Sequence, residues 1–347
     1  MPLRVETVIH PQAAPDLASF AAAARRVEAL GFDGLTVPEG GHDPFLPLVL
    51  AAEHTSRIRL GTNVAIAFPR SPMVTAQLAW DLQRLSRGRF VLGLGTQGRA
   101  HIERRFAAEW RDPPGPRLRD YVLCLRAMWE SFQAGGKPRR FESEHYRFDL
   151  LPSFSNPGPI EHPHVPVYLG AVNPFAVRLA GELGEGVRLH PIATFRYARE
   201  VIVPAIEEGA GRAGRSRAAV DLVAEPFLAV APDAASLEAA KRATKRQIAF
   251  YAAVPEYRRV LAHHGWESLG EDLARLAAER RASEMERAIS DEMLDEWAIV
   301  ATWDELATRI AERCAGTFDS VLLDLPPDLG SNHAQVEALV TELSAGR

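Results

Sequence analysis

Cysteine is scarce in this chain: 347 residues contain two, Cys124 and Cys314, each inside a helical pattern. Two such thiols supply neither a disulfide framework nor a cysteine metal site. Long apolar runs are missing too. None reaches the roughly 20 residues a membrane helix needs, and the opening MPLRVETVIH reads as a strand rather than a signal peptide. No charge of one sign dominates, since 40 Lys and Arg face 45 Asp and Glu for a net charge of −5. That balance gives no footing for nucleic acid or an anionic membrane. There is no G-x-S-x-G and no histidine-backed cysteine, so a nucleophilic hydrolase has nothing to stand on. The pairs His162/His164 and His263/His264 have no partner at ligand spacing, so no metal is expected. The class left is a reduced, cytoplasmic enzyme acting on a small molecule.

What is present is a regular alternation. Hydrophobic residues make up 47% of the chain, enough for a large core. The organising stretch is 57–98, where an apolar run (58–68), a helix opened by Pro72 and a second apolar run (90–94) form a βαβ unit. Similar runs at 3–9, 32–37, 165–170, 186–190, 220–230 and 318–325 bring the strands to eight. Helical patterns lie between them, beginning at Pro15-Asp16 and Asp43-Pro44, with later ones over 117–132, 176–183, 196–209 and 331–344. In the second helix Leu46, Val49, Leu50 and Ala52 are expected to face inward. Units of about forty residues without a shared repeat template point to an α/β (β/α)8 TIM barrel, one domain over 1–347. Two insertions are expected: a hairpin-bearing segment at about 135–165 over the barrel top, and a helical excursion at about 234–300 after strand seven. Thr302-Trp303-Asp304-Glu305 reads as a capping box.

Gly93-Leu94-Gly95-Thr96-Gln97-Gly98 matches G-x-G-x-x-G after a strand, but prolines 113, 114 and 116 cut short any long helix behind it. A dinucleotide fingerprint also belongs to a first strand, so the glycines are better read as allowing close backbone approach to a flat ligand. Gly61-Thr62-Asn63-Val64 interrupts an apolar strand as a bulge would. His10, Glu39, Asn63, Gln97 and His190 all fall at expected C-terminal strand ends, which converge on one mouth in a barrel. Any one of them alone would be an ordinary strand or helix cap.

GFDGLTVPE, RIRLGTNVAIAFPRSPMVTAQLAWDLQRLSRGRFVLGLGTQ and HVPVYLGAVNPFAVRLAGELGEGV together resemble the luciferase-like monooxygenase superfamily, over nearly the whole chain. GTQGRAHIERRF, LLPSFSNPGP and KRQIAFYAAVPEYRRVLAHHGW resemble its actinobacterial branch assigned to the deazaflavin cofactor F420. The resemblance implies a hydride transfer between deazaflavin C5 and a small organic substrate. It implies a cis peptide at Asn63–Val64 behind the ring, and Thr96, Gln97 and Gly98 flanking the ring and side chain. Gly170, Ala171, Val172 and Asn173 would meet the cofactor phosphate, with Arg104 and Arg105 as candidates for the anionic tail. Relatives pair an acid with an adjacent histidine after strand two; here Glu39 keeps the acid, and Gly40-Gly41 separates it from His42. Glu39, His10 and His190 are left as proton-transfer candidates. A homodimer is implied as well. FMN-dependent relatives share the barrel, so an oxygen-using flavin monooxygenase is the alternative, and a barrel that binds F420 without turnover is another.

Overall fold

A computed structural model describes residues 3–14, 16–325 and 332–345. Eight parallel strands close on themselves: β1 (Arg4–Val8), β2 (Gly34–Val37), β3 (Arg59–Thr62), β4 (Phe90–Gly95), β5 (Val167–Ala171), β6 (Gly186–Leu189), β7 (Asp221–Ala224) and β8 (Ser320–Leu323). Neighbours pair in chain order, and closure comes where β8 meets β1 with Ser320 opposite Arg4. Helices α1 (Leu17–Ala29), α2 (Phe45–His54), α3 (Pro72–Leu85), α4 (Arg99–Arg104), α5 (Pro114–Ala134) and α6 (Pro174–Leu183) follow the first five strands. Their starts are written locally. Asp16 accepts from Ser19 N–H at 2.8 Å, Ser71 caps α3 ahead of Pro72, and Asn173 accepts from Ala176 N–H at 3.0 Å. The capping box at Thr302–Glu305 is present. The start expected at Pro15 for the first helix, and at Ser331 for the last (His333–Ser344), lies outside the described residues.

Four expectations are corrected. The run 58–68 is not one strand: β3 ends at Thr62, and after a bulge Ala65–Ile66 pairs again with β4. The run 220–230 divides at Glu225-Pro226. Pro226 has no N–H for the ladder, and Phe227–Ala231 leaves the barrel to pair with Ala298–Thr302. The excursion's helices lie between those two strands. The hairpin of Phe141–Glu142 and Arg147–Phe148 does not roof the barrel. It lies along α5 and α3, with Tyr146 edge-on to Tyr121 at 5.5 Å, His145 bound to Asp120 at 2.8 Å, and Trp80 donating to the Gly158 carbonyl at 3.1 Å. Finally, α2 buries Phe45, Leu48, Ala51 and Ala52, whereas Leu46 and Val49 stay 69% and 42% exposed.

Inside the barrel, the N-terminal half of the strands holds ions. Glu6, almost fully buried, pairs with Arg188 at 3.0 Å and with Arg59. Asp221 pairs with Arg4 at 2.6 Å and accepts from Tyr168 at 2.7 Å and from Ser320 at 3.0 Å. Burial alone would raise the Glu6 pKa, but Arg188 and Arg59 overrule it and bring the carboxyl down to about 2.

Candidate active site

Side chains alternate along a strand, so the residues two positions beyond the interior set share its inward direction. Past Val8, Gly61, Gly93, Arg188, Val223 and Leu322 these are His10, Asn63, Gly95, His190, Glu225 and Asp324. All six sit at the C-terminal mouth.

The β3 bulge shapes one half of this mouth. The Asn63–Val64 peptide is cis, as the resemblance implied. A Cβ on Gly93 would lie 2.0 Å from the Thr62 carbonyl oxygen. One on Gly95 would lie 2.7 Å from a Val64 methyl, and one on Gly170 3.2 Å from both. These glycines therefore admit the chain's own bulge. Val64 remains partly exposed and presents an apolar surface at the mouth. Glu39 supports the bulge from behind. Its carboxylate accepts from Ile66 N–H at 2.7 Å and pairs with Arg70 at 2.6 Å, and Arg70 also reaches Asp43 at 2.9 Å.

The other half carries titratable groups. Glu225 accepts from Asn63 Nδ2 at 3.0 Å through Oε2, leaving Oε1 without a partner among the described residues. Burial pushes its pKa up to about 7, with the Asp324 carboxylate adding to the rise while Asn63, Arg188 and His10 oppose it. His10 Nε2 lies 3.2 Å from both Asp324 oxygens, and that hydrogen bond raises its pKa. His190 stacks on Tyr257 with ring centroids 4.8 Å apart and meets Tyr251 edge-on at 4.8 Å. Burial lowers its pKa to about 4, so the ring is neutral. Its Nδ1 accepts from Ile192 N–H at 3.2 Å, which leaves the proton on Nε2.

Around the rim, Gln97 adopts a left-handed backbone (φ 58°) and folds its side chain back onto Gly98 N–H at 3.0 Å. A Cβ on Gly98 would lie 3.4 Å from Glu256, so the excursion's 255–257 turn reaches across to β4. Thr96 is partly exposed beside Gln97, and Ala171 is buried at the end of β5. Val172 gives its carbonyl to Tyr197 at 3.3 Å, and Asn173 caps α6. Arg105 binds the Gly40 carbonyl and ties α4 to the turn after β2.

The structure thus gathers His10, Asn63, Val64 and His190 at the mouth, with Glu39 behind the bulge and the 96–98 and 170–173 turns at the rim. Sequence reading missed Glu225, Asp324, Tyr251 and Tyr257. The strand-end rule that found His10 would have found Asp324; nothing local marks the two tyrosines. Among the described residues, no group of three or more His, Cys, Asp or Glu is placed to hold a metal, and no helix is long and apolar enough to cross a membrane.

Comparison with known proteins agrees with this architecture. An uncharacterized protein of Mycobacterium tuberculosis is 45% identical over 306 residues, covering 88% of this chain and 89% of the relative. The 5,10-methylenetetrahydromethanopterin reductase of Archaeoglobus fulgidus is 30% identical over 86% of this chain and 87% of its own. Among solved structures, the coenzyme F420-dependent tetrahydromethanopterin reductase of Methanopyrus kandleri superposes with a TM-score of 0.78 at 22% identity, covering 99% of this chain and 98% of that one. The family model for the luciferase-like monooxygenases matches residues 3–320. With the closed barrel, the bulge after β3 and a match over nearly its whole length, this chain belongs to the luciferase-like monooxygenase family.

Proposed function

We propose that this protein is a coenzyme F420-dependent oxidoreductase that acts on a small organic substrate at the barrel mouth. The observation that carries the reading is the bulge. A partly exposed Val64 is seated between Gly95 and Gly170, and its neighbour Asn63 is held by Glu225. This apolar surface beside a buried acid suits a flat ring that must be supported on one face and supplied with a proton at its edge. A relative from Mycobacterium tuberculosis described as a putative coenzyme F420-dependent oxidoreductase, 30% identical over 82% of this chain, adds support.

Bound deazaflavin supplies a carbon that gives or accepts hydride. In this reading Val64 supports the ring, Thr96, Gln97 and Gly98 flank it, and the backbone of Gly170, Ala171, Val172 and Asn173 with the α6 N-terminus meets its phosphate. Glu225 holds or releases the substrate proton at Oε1, since a pKa near 7 suits both directions at neutral pH. His10 sets the field around Glu225 through Asp324, and Glu39 acts by positioning the bulge. Tyr251 and Tyr257 exclude water from the mouth. Leu46 and Val49 on α2, with Val74 on the adjacent α3, form an exposed apolar face suited to a homodimer.

The test is titration of the purified apo-protein with F420 and, separately, with FMN, followed by tryptophan fluorescence. Micromolar or tighter binding of F420, with FMN much weaker, is the expected result. Preference for FMN would move the reading to a flavin monooxygenase, and binding of neither would overturn the cofactor assignment. F420 binding with no substrate oxidised or reduced across a broad screen would leave a non-catalytic carrier.

A further inference from the structure

The excursion brings two tyrosines to the end of β6. Tyr251 closes the helix Ala234–Ala252 and Tyr257 ends the short turn Pro255–Tyr257. Both pack on His190, and Phe227 lies 6.0 Å behind Tyr251. All three rings are partly exposed, so they form a shelf facing the mouth rather than a filled core. Neither tyrosine hydroxyl, nor His190 Nε2, has a hydrogen-bond partner among the described residues. Three donors therefore stand at the edge of the shelf.

Carboxyl groups stand close to this shelf. Glu225 and Asp324 act on Tyr251, and Glu256 acts on Tyr257. Several cations of this region are engaged elsewhere. Arg188 is buried against Glu6, His10 is bound to Asp324, and Arg196 is engaged by His264 and lies 3.9 Å from Glu296. Arg259 acts on Tyr197 instead. An anionic ligand would meet Glu256, Glu225 and, beyond them, the Asp324–His10 pair, whereas a flat uncharged or cationic ring would gain stacking and hydrogen bonds.

We infer that the His190–Tyr251–Tyr257 shelf is the substrate subsite, and that it selects a planar ring bearing no negative charge and at least one hydrogen-bonding group. The inference rests on the proposed function, of which it names the substrate class; phosphorylated and carboxylated substrates are excluded by it.

Three probes that share one ring separate charge from shape: acetophenone (neutral), benzylamine (cationic) and benzoate (anionic). Their binding is read by ligand-observed NMR on the full chain, with and without F420. Acetophenone and benzylamine should each bind about tenfold or more tighter than benzoate, the scale of one uncompensated charge contact in a partly dry site. Tyr257→Ala and Tyr251→Ala should each weaken acetophenone by about fivefold, the loss expected for one aromatic contact, while F420 affinity stays within about twofold. Glu256→Gln, at an exposed position that leaves the fold intact, should narrow the gap between acetophenone and benzoate. Benzoate binding as tightly as acetophenone, no binding of any probe, or indifference to all three substitutions would overturn the inference. Loss of F420 binding by the parent protein would instead sink the cofactor reading, and the two failures are read in separate titrations.

Discussion

The two ends of the barrel treat charge in opposite ways. Near the N-terminal ends of the strands, Glu6 and Asp221 are each matched by arginines at 3.0 and 2.6 Å, and Glu6 is held ionised with a pKa of about 2. At the mouth, Glu225 has one amide donor and, among the described residues, no ion pair, and burial raises it to about 7. Glu6 is almost fully buried and Glu225 only partly exposed to solvent, yet the more buried carboxyl is the one held ionised, so the partners decide the difference. Compensated charge holds the strands together. Uncompensated charge is held in a state that can change, which is where proton chemistry is done.

The hardest way to break the contrast is at the compensated end. Glu6→Gln leaves Arg188 buried without a full counter-charge and should cost about 3–5 kcal/mol in denaturant unfolding. The double variant Glu6→Met with Arg188→Met should regain most of that loss, and failure to do so would mean the pair is not the source. At the mouth the sign reverses. Because the folded-state pKa of Glu225 is raised, its contribution is fully present below about 4.5 and is lost as pH rises to about 7. Glu225→Gln should therefore gain stability relative to the parent between pH 4.5 and 7, by about 3 kcal/mol at most, and then level off. Thermal melts across pH check this, and a flat difference would show that Glu225 ionises normally. The same variant should lower turnover about 100-fold at neutral pH with F420 affinity nearly unchanged.

Gly93→Ala drives a methyl against the Thr62 carbonyl and should cost about 1–3 kcal/mol while weakening F420 binding. Equal F420 affinity in that variant would detach the bulge from the cofactor. The smallest effect is expected at His10→Gln. Its pair with Asp324 is half-exposed and screened, so stability should change by under about 1 kcal/mol. Any larger change in the pH profile of turnover would then report its field on Glu225.

The barrel was legible because strand and helix periods alternate without a break, and the caps at Asp16, Ser71 and Asn173 are local signals. Less was legible where the answer lies in a distant partner. On α2, Leu46 and Val49 look as apolar as Phe45 and Leu48, so periodicity cannot say which face meets the barrel and which is left outward. An apolar run read straight through to Val230 placed Glu225 in mid-strand, whereas the ladder stops just before it. Tyr251 and Tyr257 lie in a helical region whose docking onto His190 no nearby residue encodes. The hairpin's place on α5 depends on Tyr121 and Asp120, which precede it by about 25 residues.

The glycine lining of the mouth also bears on how this protein can diversify. At Gly93 and Gly95 a side chain would strike the Thr62 carbonyl or Val64, and at Gly61 and Gly170 it would press on Val91, Arg188 or Val64, so that half of the mouth offers little mutational freedom. Under the proposed function, new specificities would be written on the opposite half, at His10, His190, Tyr251 and Tyr257, with Glu225 kept for its proton. A library confined to those four positions would vary the substrate contacts while leaving the bulge untouched.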